Sequence, residues 1–228
     1  MSDDEHRRSN GAGGGSKAGV VPERPEPVTE RGRKTRAELL RAARVVFERD
    51  GFIDAKITDI ALEAGVASGS LYTYFSGKDE LFAAVLDLAL EEMLHPDVRY
   101  ADANDDPAVT VEEATRAYLE SYKGNAGIMR VFEQVSTIDP EFRRTRIERA
   151  MKFAERNARG IRRLQDAGQA DPTLDARTAS IALSAMVSRV AYLTFALGYP
   201  SGDFDELVES MAKLWINALQ ISNPTHDA

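Results

Sequence analysis

Cysteine is absent from the sequence, which excludes a disulfide framework and any zinc site built on thiolates. Histidine is nearly absent, and His6, His95 and His226 are too far apart to form a recognisable metal motif. We therefore predict no metal and no cofactor. No apolar run reaches the roughly 18 residues of a membrane span, and the polar N-terminus lacks an apolar signal segment. These absences fit a reducing compartment, and we expect the protein in the cytoplasm.

Acidic residues outnumber basic ones, and the formal net charge of −8 alone disfavours binding to a polyanion. The charge is unevenly distributed, however. Residues 31–78 hold nine Lys/Arg against six Asp/Glu, whereas the remainder of the chain is acidic. A basic front segment on an acidic body is the asymmetry expected when one end meets nucleic acid.

Both ends of the chain have little to bury. Residues 1–30 contain "GAGGGSKAG" and "VPERPEP", which are rich in Gly, Pro and charge, so we predict a disordered arm there and a disordered tail at 223–228. The Gly cluster does not match a phosphate-binding loop, because no predicted strand precedes it and no predicted helix follows it.

Between these ends the apolar residues recur every three to four positions, with Gly or Pro at the breaks. No segment alternates apolar and polar residues as a half-buried strand does. The predicted fold class is therefore all-α. We divide it into a helix-turn-helix domain at 31–78 and a larger helical domain for effector binding and dimerisation at 79–222.

The stretch "DIALEAGVASGSLYTYF" has the spacing of a short helix, a glycine-containing turn and a second short helix. If Leu71 and Phe75 point inward, small hydroxyl and tyrosine side chains remain on the exposed side of the second helix. Such residues allow close approach to DNA and hydrogen-bond to phosphates and base edges. The second helix is therefore predicted to be a recognition helix, and packing in an ordinary three-helix bundle is the alternative.

Four pieces, "ELLRAARVVFERDGF", "ITDIALEAGV", "GSLYTYF" and "SGKDELF", resemble the DNA-binding domain of the TetR family of bacterial transcriptional regulators. The rest of the chain resembles that family in helix number and length. The resemblance implies a set of DNA-contacting residues: Thr58, Ser68, Gly69, Ser70, Tyr72, Thr73, Tyr74 and Lys78. Arg33 and Lys34, in the basic run "RGRKTR", form a second candidate contact to DNA, with a solvated charge run as the alternative.

A helix-turn-helix dimer places its recognition helices about 34 Å apart, so a dimer interface is required. The resemblance implies that the last two helices supply it. The predicted interface residues are Ile181, Ala185, Ser188, Phe204, Leu207, Val208, Met211 and Trp215. The alternative is that both helices complete the core of a single chain.

The middle helices carry aromatic and Met residues suited to an apolar pocket, and the resemblance places an effector cavity there. The candidates are Tyr118, Tyr122, Met129, Phe132, Met151 and Met186. A plain packed core would give the same pattern. One segment, "EFRRTRIERAMKFAERNARGIRRL", is strongly basic, which favours either a solvated helix face or a landing site for an anionic headgroup.

The sequence therefore predicts a homodimeric regulator, in the form of a repressor released from a palindromic DNA operator by a lipophilic effector. One alternative is a helical ligand-binding adaptor whose DNA-binding domain is vestigial. A helical enzyme is the other, but no nucleophile, base or metal motif supports it.

Overall fold

The structure is a computed structural model that describes residues 27–94, 106–200 and 202–221. The first half is helical: α1 is Glu30–Asp54, α2 is Ile57–Glu63, α3 is Ser68–Tyr74 and α4 is Lys78–Leu94. The second half is also helical: α5 is Pro107–Gly124, α6 is Ala126–Ile138, α7 is Pro140–Asp166, α8 is Ala176–Ala191 and α9 is Phe204–Leu219. A π-helical turn at Tyr192–Ala196 extends α8. No strand occurs in these ranges, and the all-α prediction is confirmed.

Side-chain caps explain where several of the long helices begin. The carboxylates of Asp106, Asp139, Asp175 and Asp203 each accept a hydrogen bond from a backbone N–H in the first turn of the helix that follows. These N–H groups have no partner within the helix, so an Asp at the N-cap stabilises the helix start.

Two glycines with positive φ define the breaks in the first domain. Gly51 (φ 77°) interrupts α1 one turn before its end, and Gly65 (φ 67°) lies in the turn between α2 and α3. Non-glycine residues rarely adopt this left-handed backbone region because their Cβ clashes with the carbonyl. The predicted glycine stop at Gly51 is therefore observed as a sharp interruption of α1.

One hydrophobic core runs through the described helices. It contains Phe47 of α1, Phe82 of α4, Phe132 of α6, Val187 of α8 and Val208 of α9, all of them buried. The predicted boundary between residues 78 and 79 falls in the first turn of α4. That boundary stays a prediction. The predicted arm at 1–30 and the predicted tail at 223–228 lie outside the described residues, except for residues 27–30.

Candidate nucleic-acid interface and body cavities

Helices α2 and α3 form the predicted helix-turn-helix, and buried side chains hold them in place. Ile60 of α2 and Leu71 of α3 are fully buried, and Phe75 follows α3 into the same core. The Arg36 guanidinium lies 5.4 Å from the centroid of the Phe75 ring, which ties this corner to α1. With one face of α3 anchored in this way, its other face is directed outward.

The structure brings the predicted DNA-contacting residues of α2 and α3 onto this outward side to different degrees. Thr58, Gly69, Ser70, Tyr72 and Thr73 are exposed. Ser68 is half-buried at the start of α3, and Tyr74 is half-buried against the hydrophobic core. Tyr74 therefore has a packing role in addition to any role at the surface.

Lys78 is held by α1. Its Nζ donates to the carbonyl oxygens of Ile53 at 2.9 Å and Ala55 at 3.2 Å, and lies 4.9 Å from the centroid of the Phe52 ring. These contacts satisfy carbonyls at the end of α1, a role that the sequence did not indicate. The ammonium has three donor hydrogens, so two of them are used within the protein.

Arg33 and Lys34 lie in the first turns of α1, and both are exposed. The Arg33 Nη1 donates to the carbonyl oxygen of Val28 at 2.9 Å. The basic run is therefore helical at these positions instead of an extended arm.

A cavity of about 820 Å³ lies among α5, α6, α7 and α8, and we call it the Arg149 cavity. Five of the six predicted effector residues line it: Tyr118, Tyr122, Met129, Phe132 and Met151. Met186 does not line it, because its side chain packs against the hydrophobic core. Ile181, Ala185 and Ser188, predicted for the dimer interface, also line this cavity.

Burial dominates the electrostatics of the Arg149 cavity. It raises the pKa of the Tyr118 phenol to about 12, although the Arg149 cation and a hydrogen bond with Ser188 oppose that shift. Burial also raises the pKa of Tyr122 and lowers the pKa of the Arg149 guanidinium. Each shift reflects the cost of placing a charge where water is scarce.

A second cavity of about 990 Å³ adjoins the first, and Tyr118, Phe153 and Ser184 line both. Sequence reasoning missed Arg149 and Phe153; on α7 it named only Met151 as a pocket residue, which lines the cavity and is about half exposed. The available signal was the spacing of Phe142, Arg149 and Phe153, at intervals of seven and four residues along one helix face.

The α9 residues predicted for a dimer interface face the inside of the chain. Leu207, Val208 and Met211 are buried in the hydrophobic core, and Phe204 and Trp215 are half-buried against it. The apolar stripe of α9 packs mainly on α5 and completes the core of one chain, which is the alternative that the sequence left open. The outward face of α9 instead carries a separate set of residues: Ser210, Lys213, Leu214, Asn217 and Ala218.

Helix α8 and its extension are apolar, yet few of their residues are fully buried. The segment Ala176–Ala196 has a mean hydropathy of 1.4 over its most apolar window, of which 17% is buried. Within the described ranges it is the single helix long and apolar enough to cross a membrane. Length and composition are weak evidence for that, because an interface helix of a water-soluble oligomer passes the same test.

Two family models match the chain, one on each part. The model described as "Bacterial regulatory proteins, tetR family" matches residues 39–85, which contain the helix-turn-helix. The model described as "Transcriptional regulator EthR, C-terminal domain" matches residues 111–220, which contain both cavities and the two last helices.

Individual relatives agree with these matches. The chain is 37% identical over 70 residues to the uncharacterized regulator YfiR of Bacillus subtilis, which is 31% of this chain and about a third (34%) of that protein. It is 21% identical over 201 residues to the regulator EthR of Mycolicibacterium smegmatis, which covers 84% of this chain and 89% of that protein.

Solved structures share the fold. The structure of MexZ, a repressor from Pseudomonas aeruginosa, superposes with a TM-score of 0.66 at 24% identity, over 84% of this chain and 97% of MexZ. Both family models, the full-length relative and this shared architecture lead to one assignment. The chain belongs to the TetR family of helix-turn-helix transcriptional regulators.

Proposed function

We propose that the protein is a homodimeric repressor that leaves a palindromic operator when a lipophilic small molecule occupies its helical body. The observation that carries this proposal is the outward face of α3, where a buried anchor at Leu71 leaves small hydroxyl side chains exposed. Repression is favoured over activation because named relatives, KstR2 of Mycobacterium tuberculosis and MexZ, are described as repressors. A regulator of this kind acts in the cytoplasm, where its DNA is.

The DNA-binding step rests on small exposed residues. Ser70 and Thr73 present hydroxyl groups on α3, where they can donate to phosphates or reach base edges in the major groove. Gly69, directly before Ser70, adds no side chain that would hold the backbone away from DNA. Lys34, on the exposed start of α1, adds a cation for the phosphate backbone.

The dimer rests on the uncovered apolar surface of α8 and α9. Ile181 and Leu214 are each about half exposed, and 17% of the apolar window of α8 is buried in the single chain. Surfaces of this kind on a water-soluble protein mark interfaces. A second copy related by two-fold symmetry would cover them and set the spacing of the two recognition helices.

The effector step needs a connection between the cavity and the DNA-binding helices, and aromatic packing supplies one. Phe142, in the first turn of α7, stacks edge-on against Phe82 of α4 at 5.1 Å and Phe52 of α1 at 5.8 Å between ring centroids. Residues of α7 that follow Phe142 line the Arg149 cavity. A ligand that binds the DNA-incompetent arrangement better would shift the population away from DNA.

Two other functions find less support. An adaptor with a vestigial DNA-binding domain does not require exposed hydroxyl residues on α3. Members of this family regulate transcription and are not enzymes, and in the part of the chain that the structure describes no group of three His, Asp or Glu side chains could hold a metal ion.

Selection of genomic DNA fragments by the purified protein at physiological salt tests the proposal. We expect enrichment of a near-palindrome by the wild type and loss of that enrichment in the double variant Ser70→Ala, Thr73→Ala. Thr137→Ala, which removes an exposed hydroxyl on α6, is the matched control and should enrich the same fragments. A folded dimer that enriches nothing would contradict the proposal and favour the adaptor.

A further inference from the structure

Arg149 is a cation inside the protein that meets very weak acceptors. Its Nη2 donates to the Met93 Sδ at 3.3 Å and its Nη1 to the Met129 Sδ at 3.7 Å. Thioether sulfur is a poor acceptor, whereas a guanidinium carries five N–H donors in a planar fork. Within residues 27–94, 106–200 and 202–221, no carboxylate lies within ion-pair distance of this guanidinium. A partly buried cation in this situation is costly unless an anion joins it.

The acidic residues that line the Arg149 cavity do not supply the missing anion for Arg149. Glu133 is the carboxylate nearest to the two tyrosines, and both of its oxygens are engaged by Arg146 at 2.9 Å. Glu155, the other acidic lining residue, pairs with Arg162 at 2.9 Å. The remaining charged lining residues are cations: Lys152, Arg177 and Arg189. The cavity therefore has an excess of positive charge, and its carboxylates are already paired.

The surroundings of Arg149 are suited to the apolar part of a ligand. Phe132 and Met129 are buried in the cavity wall, and Ile147 and Met151 lie exposed towards its mouth. Tyr118 and Tyr122 add phenol groups that stay protonated near neutral pH and can donate hydrogen bonds. The volume of about 820 Å³ is within the range of small-molecule sites.

We propose that the Arg149 cavity binds an amphiphilic monocarboxylate, whose carboxylate pairs with the Arg149 guanidinium and whose apolar body lies along Phe132 and Met151. The guanidinium fork matches a carboxylate in bidentate geometry, which a neutral lipophile cannot exploit. The inference rests on the proposed function in that it names the chemical class of the effector. Binding itself, however, requires neither DNA nor a dimer.

The test is calorimetric titration of the full-length protein, without DNA, using decanoate and 1-decanol as probes. They share the same alkyl chain and differ in the headgroup. We expect the wild type to bind decanoate more tightly than decanol, and Arg149→Met to reduce the affinity for decanoate on the order of 10- to 100-fold while leaving that for decanol unchanged. Arg144→Met, which removes an exposed cation of α7 that does not line the cavity, is the matched control and should keep the preference.

Three outcomes would overturn the inference: equal affinity of the wild type for the two probes, no binding of either probe, or an unchanged preference in Arg149→Met. Methionine suits a position whose side chain already contacts Met93 and Met129, so the variant should fold. If Arg149→Met does not fold, Arg149→Lys is the second test, because lysine keeps the positive charge and lacks the planar guanidinium that binds a carboxylate in bidentate geometry. The preference should then weaken, and an undiminished preference contradicts the bidentate pairing.

DNA selection separates the two proposals. Headgroup-dependent binding of decanoate in a protein that enriches no DNA would leave the inference intact and contradict the proposed function. An enriched operator together with no preference for decanoate would support the proposed function and contradict the inference.

Discussion

The Arg44 guanidinium donates to the Asn125 Oδ1 at 2.9 Å and to the carbonyl oxygen of Gly124 at 2.8 Å, and so joins α1 to the turn between α5 and α6. Asn125 is almost fully buried, and its Nδ2 donates to a carboxylate oxygen of Glu92 on α4 at 3.1 Å. The Asn125 amide therefore bridges α1, which begins the DNA-binding domain, and α4, which follows it. The link is polar, and the Asn125 amide at its centre is buried and has hydrogen-bond partners for both its oxygen and its nitrogen.

We expect Asn125→Ala to lower the free energy of unfolding on the order of 2 kcal/mol, because the hydrogen bonds of this buried amide to Arg44, Glu92 and the Ser121 carbonyl would be lost. Urea unfolding followed by circular dichroism measures the change. Arg49→Ala is the control, since the Arg49 guanidinium is exposed and pairs with the adjacent Asp50, so that this variant should leave the stability almost unchanged. Equal losses in the two variants would show that the bridge adds nothing.

Lys78→Ala tests whether this lysine has one role or two. Loss of its bonds to Ile53 and Ala55 should lower the melting temperature, by an amount corresponding to about 1–2 kcal/mol. If the ammonium also neutralises a DNA phosphate, the slope of log affinity against log salt should flatten by about one unit. Lys34→Ala should change the slope and leave the melting temperature unchanged. A Lys78 variant with a lowered melting temperature and an unchanged slope would assign the residue to structure alone.

Leu214→Asp is expected to give monomers in sedimentation velocity and to abolish operator binding, because it places a carboxylate on the outward face of α9. Trp215 is unsuitable for this purpose, since it is half-buried against the hydrophobic core of its own chain and its replacement would also destabilise the protomer. Ile138→Asp, at an exposed position at the end of α6, is the control and should leave a dimer. A stable dimer of Leu214→Asp would move the interface elsewhere.

Alkaline pH should destabilise the protein through its buried phenols. Burial raises the pKa of Tyr118 from 10.0 to about 12, so the folded protein keeps a proton that the unfolded chain releases. Stability from this group is therefore complete below pH 10.0 and is lost as pH rises towards about 12. Across that interval we expect Tyr118→Phe to reduce the loss on the order of 2 kcal/mol, with Tyr122 contributing in the same direction.

Urea unfolding at about pH 9 and about pH 11 checks this prediction. Tyr199→Phe removes an exposed phenol and should leave the pH dependence as it is in the wild type. A pH dependence of Tyr118→Phe that matches the wild type would contradict the assignment.

Local sequence pattern was sufficient for the helices and for the helix-turn-helix. Leu71 and Phe75 lie four residues apart, which places both on one face of a short helix, and both are buried as expected. The exposed hydroxyl residues of α3 follow from that anchoring. Five cavity residues were also identified from their aromatic or Met character on the middle helices.

Pattern could not decide which apolar stripe of a helix meets which neighbour. Helix α9 has one broad apolar face, and the sequence is compatible with covering it by α5 of the same chain or by a second chain. The structure places Leu207, Val208 and Met211 in the protomer core and leaves Leu214 outside. The same limit applies to α7, where Arg149 lines the cavity together with the expected Met151.

Contacts between distant residues were likewise invisible in the sequence. Gly127 on α6 lies so close to α1 that an added Cβ would be 2.7 Å from the Glu48 Cδ, and nothing near either residue in the chain indicates that approach. Lys78 and Arg149 show the same effect for charge, since their hydrogen-bond partners lie 20 to 56 residues away in the chain. The sequence by itself determined helix positions, the turn glycines and the chemistry on α3, because these depend on neighbours a few residues apart. Only the tertiary structure decided which cations are satisfied inside the protein and which apolar faces remain uncovered, because burial and charge pairing depend on helices that are distant in the chain.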